Sequence, residues 1–403
     1  MAGWLTARGH QVRVVTAPPF YPEWRVGKNF SAWKYRKEET FLFLPDGSSA
    51  VARGDITVYR CPLWVPVKPS GLKRLLHYVS FALCSFPVML LQVLWRPDVV
   101  LVVEPTIVCA PQAWLVARLS GAWAWLHIQD MEVDAAFEMG LLPSGLLSQL
   151  AYAVERVVLA RFDSVSTISA SMLTRLKKKG VADGLLFPNW VDTEVIRPMA
   201  APSLFRRKLG LSDGVRVALY SGNMGNKQGL EILVAAARLL QGRGDVRFVF
   251  CGDGSGREGL VVAAAGLGNA SFMPLQPIER LNDLLNLADI HLLPQKADAA
   301  DLVMPSKLTG MLASGRPVVA TAKAGTQLAE IVENKGIVVE PDDAGALASA
   351  IGLLADDEPL RRKLGAAART YAVAHLGKQA ILTEFEKSLL ELVSERRRAA
   401  GQP

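Results

Sequence analysis

Apolar residues in this chain fall into two patterns that alternate along its length. Short unbroken runs read as strands buried on both faces, and stripes of helical period read as the helices that cover them. The strands are expected at 11–16, Val99–Val103, Trp123–Ile128, Ser164–Ile168, Val215–Tyr220, Val246–Phe250, Ala288–Leu293 and Pro317–Ala320. Helices are expected at 1–8, Ala110–Leu119, Ala151–Phe162, from Ser169 through Lys179, Leu230–Leu240 and Leu376–Arg398. Strand–helix alternation of this kind predicts an α/β fold with parallel sheets. A chain of 403 residues has room for two such domains. Arg197-Pro-Met-Ala-Ala-Pro202 is a linker by composition. The domains are then 1–195 and 203–375, followed by a long C-terminal helix over 376–403.

Two stretches depart from the alternation. Residues 17–60 read as a Pro- and aromatic-rich loop, basic as far as Lys37, ending in a strand Val51–Arg60. Leu72–Trp95 is strongly apolar, and Tyr78–Trp95 reaches the lower length limit for a membrane span. Pro87, Ser80, Ser85 and Gln92 interrupt it, and a strand follows at once. It is read first as a buried or interfacial helix. The approach through Lys68, Lys73, Arg74 and His77 suits an anionic leaflet, whereas the plainer alternative is a helix covering the sheet.

Charge sharpens this reading. The net charge is +7, and residues 1–80 alone hold 12 Lys and Arg against 5 Asp and Glu. The remainder is balanced, so the first part of the chain is suited to an anionic surface or substrate. No helix-turn-helix, zinc-finger or aromatic RNA-binding signature is present, so no nucleic acid partner is expected. Cys61, Cys84, Cys109 and Cys251 lie far apart without metal-ligand spacing, as in a reduced cytosolic protein.

Three segments carry candidate chemistry. In Asp301–Ala320, Pro305 suits the start of a helix and places Ser306 and Lys307 in its first turn. Free N–H groups, a hydroxyl and an ammonium there make an anion site, although an ordinary helix start would look the same. Ser221–Gly229 is a glycine-rich turn between a strand and a helix, the form of a phosphate cradle. Gly252 and Gly254 make the next strand's turn. Asp130, Glu132 and Asp134 follow a strand at its carboxyl end, where parallel sheets bind ligands. His127 lies on the strand itself and reads as packed.

The segment Pro305-Ser-Lys-Leu, a short helix, then Ala-Ser-Gly-Arg-Pro-Val-Val-Ala resembles the nucleotide-sugar loop of family 4 retaining glycosyltransferases. These have the GT-B fold, and the closer likeness is to those of colanic-acid and related exopolysaccharide synthesis. The resemblance runs along the whole chain. It implies two Rossmann-like domains facing a cleft, the second binding donor. In the family a strand and a glycine-rich loop come before the first helix, so they are expected upstream of Met1, with a gap beside the strand at 11–16.

The resemblance also implies roles. Donor binding falls to Gly222, Asn223, Gly225, Lys227, Gly252, Asp301, Val303, Pro305, Ser306 and Lys307. Asp130 is the catalytic candidate, matching the family's His-Asp turn with Gln129 in the His position, and it would orient donor sugar or acceptor. Asn189 and Asp192 match the hinge motif, with Trp190 in its Gly position. The family's second motif Glu falls on Gly310 and its first near Leu302, beside Asp301, which is only a partial substitute. Asn223 takes the place of the usual loop Arg. No metal and no cofactor are expected beyond the nucleotide-diphosphate sugar. The implied partners are that donor, a polyprenyl-linked glycan acceptor and an anionic membrane surface. The implied place is cytoplasmic, peripheral on the inner face of the cytoplasmic membrane. Rival readings are a nucleotide-sugar epimerase of the same fold and an inactive partner in a polysaccharide assembly complex.

Overall fold

The computed structural model describes residues 1–21, 24–40, 56–67, 71–104, 107–138, 145–225, 228–297 and 304–399. The chain divides into two compact units. The first is Met1–Ile168, Met172–Phe187 and Leu382–Pro403, and the second is Ser169–Ser171 and Pro188–Ile381.

The first part of the chain runs α1 (Ala2–Thr6), β1 (Val12–Thr16), β2 (Arg36–Thr40), β3 (Ile56–Arg60), α2 (Gly71–Gln92), β4 (Val99–Glu104), α3 (Ala110–Ser120) and β5 (Trp123–Ile128). It continues through α4 (Glu132–Glu138), α5 (Leu146–Leu159), β6 (Ser164–Thr167), α6 (Ala170–Lys178) and β7 (Leu185–Leu186). Its strands make two sheets, β1-β3-β2 and the parallel β4-β5-β6-β7. β1 pairs in parallel with β3, is half-buried at every position, and has no second neighbour among the described residues.

β2 corrects the expectation of a loop at 36–40. Its sequence, Arg-Lys-Glu-Glu-Thr, has no apolar alternation, which is why it does not read as a strand. It pairs antiparallel with β3 at the sheet edge, where charge deters pairing with other chains. Glu38 holds it there, 2.9 Å from Arg60 Nε and 3.0 Å from Arg36 Nε.

Of the two alternatives for α2, buried or interfacial, the buried one is not borne out by the exposure of the helix. With the turn Val93–Trp95 it is long and apolar enough to cross a membrane, yet only 17% of its most apolar 18-residue window is buried. Its amphipathy is inverted. His77, Ser85 and Gln92 point inward, while Leu72, Leu75, Leu76, Leu83, Leu91 and the following Leu94 are exposed. The inward polar groups are satisfied, as burial requires. His77 Nδ1 lies 2.6 Å from Trp64 O, Gln112 Nε2 donates to Ser85 Oγ, and Arg13 donates to Gln92 Oε1.

The second unit is a six-stranded parallel sheet of order β10-β9-β8-β11-β12-β13. Its strands are β8 (Arg216–Ser221), β9 (Val246–Cys251), β10 (Ala270–Met273), β11 (Ile290–Leu293), β12 (Val318–Thr321) and β13 (Gly336–Val339). Helices α7 (Leu204–Lys208), α8 (Glu231–Leu239), α9 (Arg257–Ala263), α10 (Leu281–Leu285), α11 (Lys307–Ala313), α12 (Gln327–Val332), α13 (Ala344–Asp356) and α14 (Glu358–His375) connect and cover them. Strands β8, β9, β11 and β12 are buried almost throughout, as their largely apolar sequences require. The chain builds β9 and β10 on one side of β8 and β11 to β13 on the other. The topological switch therefore lies between β8 and β11, where open sheets bind ligands at their carboxyl ends.

The unit boundary falls at Phe187/Pro188 instead of near 195. The segment after it is tied to the second unit by its backbone. Asn282 Oδ1 accepts from Arg197 N and Asn286 Oδ1 from Met199 N, both at 2.9 Å, while Arg369 donates to Ile196 O at 2.8 Å. The last helix, α15 (Lys378–Ala399), starts in the second unit and joins the first from Leu382. There Phe385 stacks on Phe187 at 4.2 Å, and Glu386 pairs with Arg8 and with His10.

Candidate functional site

In the second unit the loops after β8 and β9 are zipped together by their backbones. Gly222 N donates to Cys251 O (3.0 Å), Met224 N to Asp253 O (2.8 Å) and Gly256 N to Met224 O (2.8 Å). Such an approach leaves no room for side chains. A β-carbon at Gly252 would stand 1.9 Å from Gly222 O, and one at Gly254 would stand 2.5 Å from Asn223 Oδ1. Both glycines have φ +149°, and Gly222 has +138°, all in the region that favours glycine. Tyr220 Oη donates to Asn223 O (2.6 Å) and pins the first loop from below.

Lys307 reaches this loop from the start of α11. Its Nζ lies 4.1 Å from the centroid of the Tyr220 ring, and its Cδ would be 3.6 Å from a β-carbon at Gly222. No carboxylate pairs with it among the described residues. Burial without a counter-ion pushes its pKa down to about 7. Ser306 is the N-cap of α11, exposed and with helical φ, and its side chain caps nothing. The helix thus begins two residues after Pro305, so Ser306 precedes its first turn instead of lying in it.

Of the remaining donor candidates, Gly225 turns the loop, and Gln228 N donates to its carbonyl at 3.2 Å. Lys227, Asp301 and Val303 lie outside the described residues. Two residues escaped sequence reading. Tyr220 is hidden in an apolar strand and supplies the ring under Lys307. Lys296 lies just past the carboxyl end of β11, with its Cγ 3.0 Å from the β-carbon position of Gly229. The rule that ligands gather at strand carboxyl ends would have found Lys296. Gly310 packs against α10, its β-carbon position 3.2 Å from Leu285 Cδ1.

In the first unit Asp130 stands at the carboxyl end of β5, half-buried, above a small cavity of about 50 Å³ that Glu132 also lines. Tyr78 of α2 is close enough for both carboxylates to raise its pKa, burial being the larger cause. Asp134 does not belong to this group, which corrects the reading of three carboxylates placed for chemistry. It is buried in an ion pair with Lys179, which also holds Glu155 at 2.6 Å. His127 is packed as expected, 2.9 Å from Ser166 Oγ and against Phe187, and burial lowers its pKa to about 4.

The hinge candidates lie just inside the second unit. Val191 N donates to Leu376 O and Lys378 N to Val191 O, both at 2.9 Å, so the two segments of chain are joined. Asp192 fastens the join. Its carboxylate takes Lys378 Nζ at 3.0 Å and the backbone N–H of Glu194 and Val195, and these bonds hold its pKa low against the opposing effect of burial. Asn189 precedes this join, half-buried.

The second unit's cluster can hold an anion. Lys307, without a carboxylate partner among the described residues, stands against the glycine loop at the topological switch. A fixed donor of this kind stabilises a charge that grows on a leaving diphosphate. No group of three or more metal-ligating side chains occurs among the described residues.

Residues 1–190 match the glycosyl transferase 4-like domain, and residues 215–357 match the glycosyl transferases group 1. A relative named for colanic acid biosynthesis, the glycosyl transferase WcaI of Escherichia coli (strain K12), is 44% identical over 397 residues, 96% of this chain and 93% of its own. A glycogen synthase of Mycobacterium tuberculosis (strain H37Rv) is 28% identical and shares 72% of this chain and 67% of its own. Among solved structures, sucrose-phosphate synthase from Thermosynechococcus elongatus superposes with a TM-score of 0.73 at 19% identity, over 98% of this chain and 92% of its own. Anabaena HepE in complex with UDP-glucose gives 0.62 at 17% identity, over 81% and 86%. At these identities the structural likenesses speak to the fold alone.

Proposed function

This chain belongs to the glycosyl transferases group 1, and from that premise we propose that it takes its sugar from a nucleotide-diphosphate donor held at the Gly222 loop and Lys307. It is a glycosyltransferase of the colanic-acid type. The observation that carries the donor assignment is Lys307, desolvated over Tyr220 with no carboxylate partner among the described residues. A diphosphate supplies the missing charge. The UDP-glucose bound to the HepE structure supports a donor of this class.

In this reading transfer proceeds with retention at the anomeric carbon. The donor's C–O bond to diphosphate breaks as the acceptor oxygen bonds to the anomeric carbon, while Lys307 and Ser306 stabilise the charge left behind. The leaving phosphate oxygen takes the proton of the acceptor hydroxyl. Asp130 orients sugar or acceptor and forms no covalent bond. No metal or other cofactor takes part. The acceptor is a glycan linked to polyprenyl, and the outward leucines of α2 hold the enzyme peripherally on the inner face of the cytoplasmic membrane.

Calorimetry with nucleotide-diphosphate sugars tests the donor site. Lys307→Ala should weaken binding by roughly 1–3 kcal/mol, the scale of a charged hydrogen bond. Unchanged affinity would remove Lys307 from the site. Turnover of labelled donor should need the lipid-linked acceptor, whereas donor consumed without any acceptor would point to an epimerase.

A further inference from the structure

At the opposite end of the strands of this sheet lies a cavity of about 610 Å³. Its floor is the amino-terminal ends of β8, β11 and β12, where Arg216, Asp289 and Pro317 stand. Its wall is the first half of α14. The donor loop lies at the carboxyl ends of these strands. α11 runs from one place to the other, with Lys307 at its start and Arg316 just past its end.

Five arginines line this cavity against two carboxylates. Both carboxylates are already engaged. Asp289 accepts from Arg206 Nη1 at 3.2 Å and from Val217 N at 2.9 Å. Glu358 is shared by Arg362 at 2.5 Å, Arg216 at 3.8 Å and Arg361 at 3.9 Å. Arg369 is satisfied by the carbonyls of Ile196, Ala313 and Thr193. Arg316 is left over. It makes no hydrogen bond or ion pair among the described residues, and its Nε is buried without an acceptor. An orphaned guanidinium N–H in a desolvated place is costly unless something binds it.

The excess of positive charge acts on its own members. The pKa of Arg361 is lowered, first by burial and then by Arg216, with Arg316 adding to the effect against Asp289 and Glu358. Guanidinium forks match phosphate oxygens in geometry as well as charge. The volume is that of a small-molecule site. The lining has no aromatic ring on which a base would stack, and it has prolines and an alanine that a sugar ring can lie against.

We propose that this cavity is a second anion site, distinct from the donor site, which binds a phosphorylated sugar through Arg316, Arg216 and Arg362. The phosphate would take the free Arg316 N–H groups and share Arg216 and Arg362 with Glu358.

Titration calorimetry on the full chain tests this with glucose 6-phosphate, inorganic phosphate and UMP as probes. Glucose 6-phosphate should bind saturably, more tightly than inorganic phosphate or UMP. Lys307→Ala should leave that binding intact while it weakens donor. Arg316→Gln and Arg362→Gln should each weaken it about tenfold, the worth of one charged hydrogen bond, without changing donor affinity. The Arg362 side chain is 79% exposed, so its replacement keeps the test valid if the Arg316 variant does not fold. No saturable binding up to about 10 mM, a range where even weak sites fill, overturns the proposal. So does glucose 6-phosphate binding that is lost in Lys307→Ala and kept in both arginine variants. UMP binding the more tightly would overturn the sugar assignment.

Discussion

The Lys307 ammonium sits 4.1 Å above the ring of Tyr220, in a place that burial makes unfavourable for charge. An aromatic face offsets part of that cost, and a bound diphosphate would offset more. The lysine is therefore half-discharged near neutral pH when the site is empty.

A pH dependence follows. With its pKa held near 7, well below the ordinary 10.5, Lys307 is neutral in the empty site above that pH. Donor binding requires the charged form, so it takes up a proton. Affinity should fall by about tenfold per pH unit above roughly pH 7.5, while the donor's own diphosphate stays fully ionised. Stability has the opposite slope. Between about 7 and 10.5 the unfolded chain holds the proton that the folded chain has released, so the empty protein gains stability as pH rises. Lys307→Met should abolish both slopes. Calorimetry in two buffers of different ionisation heat, together with melting at several pH values, reads them. Equal slopes in variant and wild type would refute the assignment.

The glycine zipper gives a sharper test of the loop. Gly252→Ala puts a methyl 1.9 Å from Gly222 O at a φ that L residues avoid. The strained backbone alone costs about 1–3 kcal/mol, and the loop must move away from Lys307. Donor affinity and Tm should fall together. Gly259→Ala serves as the control, because it lies inside α9 with nothing within 4 Å of its β-carbon position. That change should raise stability by roughly 0.5–1 kcal/mol and leave binding alone.

Asp130 and Asp134 should separate cleanly. Asp130→Asn is expected to lower kcat by about 10²-fold or more, as loss of a charge that positions reacting groups does, with Tm nearly unchanged. Asp134→Ala should instead lower stability by about 3 kcal/mol, the lower end for breaking a buried ion pair. Lys179 keeps Glu155 as a partner, which is why the cost stays low in that range. Steady-state kinetics and denaturant melts on both variants check this, and the reverse pattern would exchange their roles.

What could be read from the sequence follows from how locally each feature is encoded. β8, β11 and β12 were legible because a strand buried on both faces is mostly apolar, with few polar positions to blur it. The glycine loop and Lys307 were legible because turn chemistry is local. β2 was not, because an edge strand of charges carries no apolar signal. Asp134 looked as good as Asp130 because its partner, Lys179, is 45 residues away. The arginine cavity draws on segments from 198 to 370 and has no motif at all.

The inverted face of α2 leads to the last prediction. Hydropathy reports how apolar a helix is, and only the fold reports which side is covered. Here the covered side holds His77, Ser85 and Gln92, each hydrogen-bonded, so folding gains little from the leucines opposite. Leu72 and Leu83 are each 70% exposed. Tyr35, itself exposed, donates to Cys84 O at 2.9 Å and so stands beside this helix, with Trp33 nearby in sequence and 73% exposed. Lys73 and Arg74 sit in the first turn. Leucines flanked by aromatics and cations match a helix lying in the interface of an anionic bilayer. Flotation with vesicles should therefore be stronger for anionic than for neutral lipid at low salt, and should weaken as salt rises. Leu72→Ser, Leu76→Ser and Leu83→Ser together should abolish flotation while Tm holds or rises, because exposed leucines contribute little to the folded state. A fall in Tm would show that these leucines are covered by protein. Binding that survives carbonate extraction would mean that α2 crosses the bilayer instead of lying on it.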